Sequence, residues 1–114
     1  MLANFDKKII DITNPTGDIK SETINISFLA GYSVHISLSG SLACNSVINI
    51  SNDDTAPNVG TKRFTVLQDS PQTLTAGQDF VYNAYWANYR FVQIELNTFT
   101  GSGEVKVYFV GKEI

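Results

Sequence analysis

His35 is the only histidine of the 114-residue chain and Cys44 its only cysteine, so these two residues bound the acid–base and nucleophilic chemistry available. His35 alternates with Ser33 and Ser37 on the polar positions of a strand-like run. A Ser-His-Asp centre needs a base held by a buried carboxylate and a nucleophile within its reach, and no nucleophile elbow surrounds this histidine. The reading is an exposed strand histidine. Cys44 lies beside Leu42 and Ala43 with no cation nearby to lower its pKa, which marks it as a small buried hydrophobe. One Cys and one His cannot make a zinc site. Asn52, Asp53 and Asp54 form the one local carboxylate cluster. Such a loop offers three or four oxygens where calcium wants six to eight, and its spacing fits no calcium loop, so an Asx-type turn is expected. No pair among the eleven acids stands out as a glycosidase dyad. Neither a catalytic set, a metal site nor a cofactor is expected.

Aromatic residues are concentrated instead. Phe80, Tyr82, Tyr85, Trp86, Tyr89 and Phe91 fall within twelve residues. Such clusters supply core mass, stacking platforms for sugars, or anchors at protein interfaces. Alternation should bury about half of them. Tyr82, Tyr85, Trp86 and Tyr89 are therefore candidate interface residues.

The elements that position these residues are strands. In Phe80 to Ile114, Val92, Ile94 and Leu96 alternate with Gln93, Glu95 and Asn97, and Val105, Val107 and Phe109 alternate with Lys106 and Tyr108. A period of two places one set on each face of a strand. Thr100-Gly101-Ser102-Gly103 between the two runs reads as the turn of a closing β-hairpin. Upstream, Ile24, Ile26, Phe28, Tyr32, Val34, Ile36 and Leu38 hold one parity, with a break expected at Ala30-Gly31. The parity slips near Asn45-Ser46, as at a β-bulge. Further strands are expected at Ile9 to Ile12, Arg63 to Gln68, Thr73 to Thr75 and Phe80 to Trp86, with the longest loop at Asn52 to Gly60. No window has helical periodicity. Eight or nine short strands at about ten-residue spacing indicate an all-β fold, a single antiparallel β-sandwich that is jelly-roll-like. Residues 1–8 read as an N-terminal arm, with Leu2 and Phe5 as candidate anchors, and residues 9–114 as the sandwich domain.

Composition limits the partners. A hydrophobic fraction of 43% and a charged fraction of 17% are those of one folded domain. With net charge −3 and only eight Lys plus Arg, scattered singly or in pairs, binding to nucleic acid is not expected. No apolar stretch approaches the roughly 20 residues a membrane helix needs, and the first residues have no apolar run of signal-peptide length.

Val47-Ile48-Asn49-Ile50-Ser51-Asn52-Asp53-Asp54, Phe64-Thr65-Val66-Leu67, Tyr89-Arg90-Phe91-Val92-Gln93-Ile94, Thr100 to Gly103 and Gly111-Lys112 follow one another in an order that resembles small β-sandwich virion proteins of tailed bacteriophages, among them head decoration (auxiliary capsid) proteins and fibre-associated modules. The resemblance covers residues 42–114. It implies a non-enzymatic structural protein, assembled in the host bacterial cytoplasm onto a virion, with a capsid or other virion protein as partner and a homo-oligomer as an option. The alternative is a carbohydrate-binding module of a fibre or tail, whose partner would be a glycan.

Overall fold

The computed structural model describes residues 4–52, 64–67, 70–85 and 89–113. Its strands are β1 (Asn4–Thr13), β2 (Ile19–Lys20), β3 (Ile24–Asn25), β4 (Leu29–Leu38), β5 (Ala43–Ser51), β6 (Thr65–Val66), β7 (Gln72–Thr75), β8 (Phe80–Tyr85), β9 (Phe91–Thr100) and β10 (Glu104–Glu113). One sheet has the order β1-β10-β4-β8. In the second, β9 and β5 are central, β2 and β3 share the outer side of β9, and β6 and β7 share the outer side of β5. The ten strands thus fill eight positions in two antiparallel sheets, and the chain passes between sheets in the order of a jelly roll. The all-β sandwich expected from the sequence is the fold.

Alternation is what makes the two sheets stack. Val92, Ile94 and Leu96 of β9 and Val105, Val107 and Phe109 of β10 are fully buried, and Val34, Ile36 and Leu38 of β4 join them. The inward parity was read correctly, but the pairing was not. β9 pairs with β5, and β10 with β1 and β4, so the six residues meet across the core from opposite sheets. Gly101-Ser102-Gly103 is a crossover rather than a hairpin turn. Gly101 (φ +77°) and Gly103 (φ +145°) lie where a Cβ would strike the carbonyls of Ser41 and Ser39. The Ser41 and Ser102 segments exchange hydrogen bonds, from Ser41 N to Ser102 O (2.9 Å) and from Ser102 N to Ser41 Oγ (3.2 Å). Ser39 Oγ accepts from Glu104 N (2.9 Å), and Asn14 Oδ1 from Gly103 N (2.9 Å). Three connections are clasped together at this end of the sandwich, and that contact between distant segments decides where the chain goes.

Other boundaries shift for local reasons. β4 continues through Ala30-Gly31 with a register shift at Ala30 in place of the expected break, and Gly31 pairs with both Lys112 and Tyr85. The break falls at Ser27-Phe28, where Asn25 Oδ1 accepts from Ser27 N (2.9 Å) and Ser27 Oγ (2.7 Å) and Leu29 N donates to Ile26 O (3.0 Å). That Asx turn carries the chain from the second sheet to the first. The register shift in β5 lies between Ala43 and Asn45, one step before the expected bulge. Side-chain parity does not slip there; Ser46 is a buried polar residue on the core face. The arm expected over residues 1–8 is, from residue 4 on, part of β1, with Asn4 opposite Lys112 and Lys8 opposite Tyr108. Main-chain pairing needs no apolar side chain, so polar Asp6, Lys7 and Lys8 conceal a strand. Residues 1–3, Arg63, Gln68 and most of the 52–60 loop lie outside the described residues.

The second sheet has six strands in four positions for a simple reason: both of its outer strands are split at one level. Between β2 and β3, Ser21 N donates to Ile94 O (2.8 Å) and Ser21 Oγ accepts from Ile94 N (2.9 Å). Between β6 and β7, Ser70 Oγ accepts from Ile48 N (3.1 Å) and donates to Ile48 O (3.3 Å). Ile94 and Ile48 are themselves cross-strand partners. One row, Ser21-Ile94-Ile48-Ser70, therefore crosses the sheet with a buried serine closing the ladder at each end.

Candidate functional site

The aromatic concentration of the sequence resolves into a hub under one end of the sandwich. Tyr32 of β4 is buried, and its ring stacks on Phe109 of β10 with centroids 5.2 Å apart and planes at 19°. Tyr82 of β8 lies tilted at 6.5 Å. Tyr89, just ahead of β9, meets Tyr32 edge-on at 6.4 Å, and the two hydroxyls share a 2.6 Å hydrogen bond. That bond ties the first sheet to the entry of the second. Burial, then the bond from Tyr89, pushes the Tyr32 hydroxyl far above the ordinary phenol range. Burial also raises Tyr89, partly offset by its bond to Tyr32. Both stay neutral, so the pair is a polar rivet inside an apolar cluster and has no proton to exchange near neutral pH.

Of the candidate interface residues, Tyr82 and Tyr89 belong to this hub and are half-buried against the core. Leu2, Trp86 and the side chains of Phe5 and Tyr85 lie outside the described residues. Tyr32 was missed as a member. The available signal was its place on the buried parity of β4, because a buried tyrosine hydroxyl must find a partner.

His35 stands on the outer face of the first sheet, with Nε2 3.4 Å from Asp79 Oδ2 and its ring 5.8 Å from that of Tyr108. Asp79 is 59% exposed, unlike the buried carboxylate that holds a catalytic base. Ser33 and Ser37 are two positions away on the same strand, in neighbouring cross-strand rows of that face. Cys44 is buried, and burial pushes its thiol up to about 11, away from nucleophilic use. Asn52 Oδ1 accepts from Arg90 N (2.9 Å), a bond between distant segments, while Asp53 and Asp54, and with them the expected Asx-type turn, lie outside the described residues. Arg90 is exposed at the entry to β9.

The two outer faces differ in chemistry. That of the first sheet carries Tyr108, His35, Val81 and Val110, bordered by the ion pairs Lys8–Asp11 (2.7 Å) and Lys106–Glu104 (3.5 Å). That of the second is lined by amides. Asn49 Nδ2 (3.2 Å) and Asn97 Nδ2 (3.0 Å) donate to the two oxygens of Glu95, and Asn45 Oδ1 accepts from Thr73 Oγ1 (3.1 Å). These arrangements can bury surface against another molecule; none assembles a base, a nucleophile and an oxyanion donor around one point.

No family model and no curated protein matches the sequence. Solved structures do match the fold. The SPBc2 prophage-derived protein YomS superposes with a TM-score of 0.62 at 18% identity, over 99% of this chain and 96% of that one. A capsid chain of equine rhinitis A virus, a picornavirus, gives 0.49 at 13% identity over 92% and 67%. A Bacillus endospore appendage, a disulfide-linked pilus, gives 0.46 at 15% over 98% and 88%. At these identities the likeness is one of fold.

Proposed function

We propose that this chain is a non-enzymatic structural protein of a bacteriophage virion, a decoration or auxiliary protein that attaches to the particle through apolar and aromatic contacts. The observation that carries the reading is the single jelly roll itself, matched nearly end to end by the fold of a prophage-derived protein. The chemistry of the described residues supports it. The thiol is buried, the Tyr32 and Tyr89 hydroxyls are hydrogen-bonded to each other, and the histidine leans on an exposed aspartate. What remains on offer is surface. Affinity for a particle would come from a few buried anchors multiplied by many copies on a lattice.

Co-sedimentation tests this. Purified protein mixed with particles lacking it should pellet with them, saturably and without competition from free sugars. Retention on a glycan array with no particle binding would instead favour the carbohydrate-binding module.

A further inference from the structure

We infer that the outer face of the first sheet, centred on the cross-strand row Tyr108-His35-Val81, is the surface by which this chain docks, and that its partner presents an uncharged protein surface of mixed apolar and hydrogen-bonding character. This assignment rests on the virion reading and selects one of the two broad faces for it.

The faces are not equivalent. On the second sheet the outward polar side chains are engaged with each other. Glu95 accepts from Asn49 and Asn97, Asn97 Oδ1 accepts from Thr98 Oγ1 (3.1 Å), and Asn45 accepts from Thr73. A partner laid there would strip water from the Glu95 carboxylate and gain little from amides already bonded. At one end of that face Phe91 and Ser51, cross-strand partners on the outward parity, are already buried.

The first sheet differs. His35 lies directly between Tyr108 and Val81, and in the next row Ser33 lies between Val110 and Asn83. All of these are exposed or half-buried, Val81 at 51% and Val110 at 38%. Among the described residues, the side chains of Ser33 and Asn83 make no hydrogen bond. His35 adds an unmet group. Its Nε2 is closed off from solvent without a hydrogen-bond partner, with Asp79 Oδ2 stopping 3.4 Å away. The patch thus joins an aromatic ring and two valines to polar groups that no neighbour satisfies. A tyrosine at the centre with uncommitted hydrogen-bonding groups around it is the make-up of a protein interface.

Charge and area fix the partner's character. Lys8 with Asp11 and Lys106 with Glu104 are paired within the chain, and Asp79 faces His35. A charge brought to the centre of the patch would lose its hydration and meet no free counter-charge, so an uncharged surface fits. Four strands about 4.8 Å apart and up to about 30 Å long span roughly 600 Å². That is near the low end of what each partner buries in a specific complex, and repetition on a lattice makes it sufficient.

Val81 and Val66 are both 51% exposed and stand on opposite outer faces, a matched pair for co-sedimentation with particles lacking the protein. Val81→Asp and, separately, Val110→Asp should weaken binding about tenfold or more, each burying an unpaired carboxylate in the contact, while Val66→Asp should stay within about twofold of wild type. Melting temperatures close to that of wild type show that the variants fold. Wild type that fails to pellet would overturn the virion reading and this assignment with it. Wild type that pellets while both first-face variants bind as tightly would overturn the assignment alone. So would release by soluble oligosaccharides, which gives the face to a glycan, or a wild-type dimer in light scattering that Val81→Asp breaks, which gives it to a second copy.

Discussion

Ser21 and Ser70 show how much a single hydroxyl does in this fold. Each is buried and supplies the partner that a missing strand residue would otherwise give to Ile94 N or Ile48 N. Replacing either with Ala leaves a buried N–H unsatisfied, so Ser21→Ala and Ser70→Ala should each cost about 1–3 kcal/mol in urea unfolding. Threonine, which keeps the hydroxyl, should recover part of the loss at Ser21. Cys44 makes a second prediction at this scale. Burial pushes its folded pKa up to about 11, above the ordinary thiol value. The folded state therefore holds the proton more tightly, and the associated stability is complete below about pH 9. It is lost as pH rises from the unfolded value through the folded one. Cys44→Ala should flatten that decline, measured against the background from the tyrosines. At neutral pH the native thiol should resist a disulfide reagent that modifies it promptly in denaturant.

At the scale of elements, β9 and β10 illustrate what alternation can and cannot specify. Period two named Val92, Ile94, Leu96, Val105, Val107 and Phe109 as core, and all six are fully buried. Ile94→Ala should cost about 2–5 kcal/mol, and Phe109→Ala about 3–5 kcal/mol because it also removes the ring on which Tyr32 stacks. Unfolding of each variant by denaturant checks this, with losses below about 0.5 kcal/mol contradicting it. Parity says which face is inward, but not which strand lies alongside. Thr100 to Gly103 has the composition of a hairpin turn, and its course is set by Ser39 and Ser41, some sixty residues earlier. Likewise, Tyr82 and Tyr89 were visible as aromatics, whereas Tyr32 joined them only through packing of β4 against β10. The two-residue strands had no periodicity to reveal them, since each pairs over two positions only. The start of β1 was hidden because backbone pairing holds Asp6 to Lys8 without apolar side chains.

The whole molecule is a slab, 38 by 36 by 23 Å, with a broad sheet face on each side. Several of the charges beside the aromatic face are paired within the chain, Lys8 with Asp11, Lys106 with Glu104 and His35 beside Asp79. Attachment through such a surface should depend little on ionic strength. Raising salt from about 0.1 M to 1 M shortens the screening length from about 10 to 3 Å and should leave particle binding within a few-fold. A steep loss would point to charge-driven docking in place of apolar and aromatic contact. The most direct test of the virion assignment is quantitative mass spectrometry of gradient-purified particles from a strain that encodes the chain. The account predicts the protein in the particle band, in a fixed ratio to the major capsid protein across independent preparations. Recovery only from the soluble fraction of the lysate, with none in the band, would contradict it.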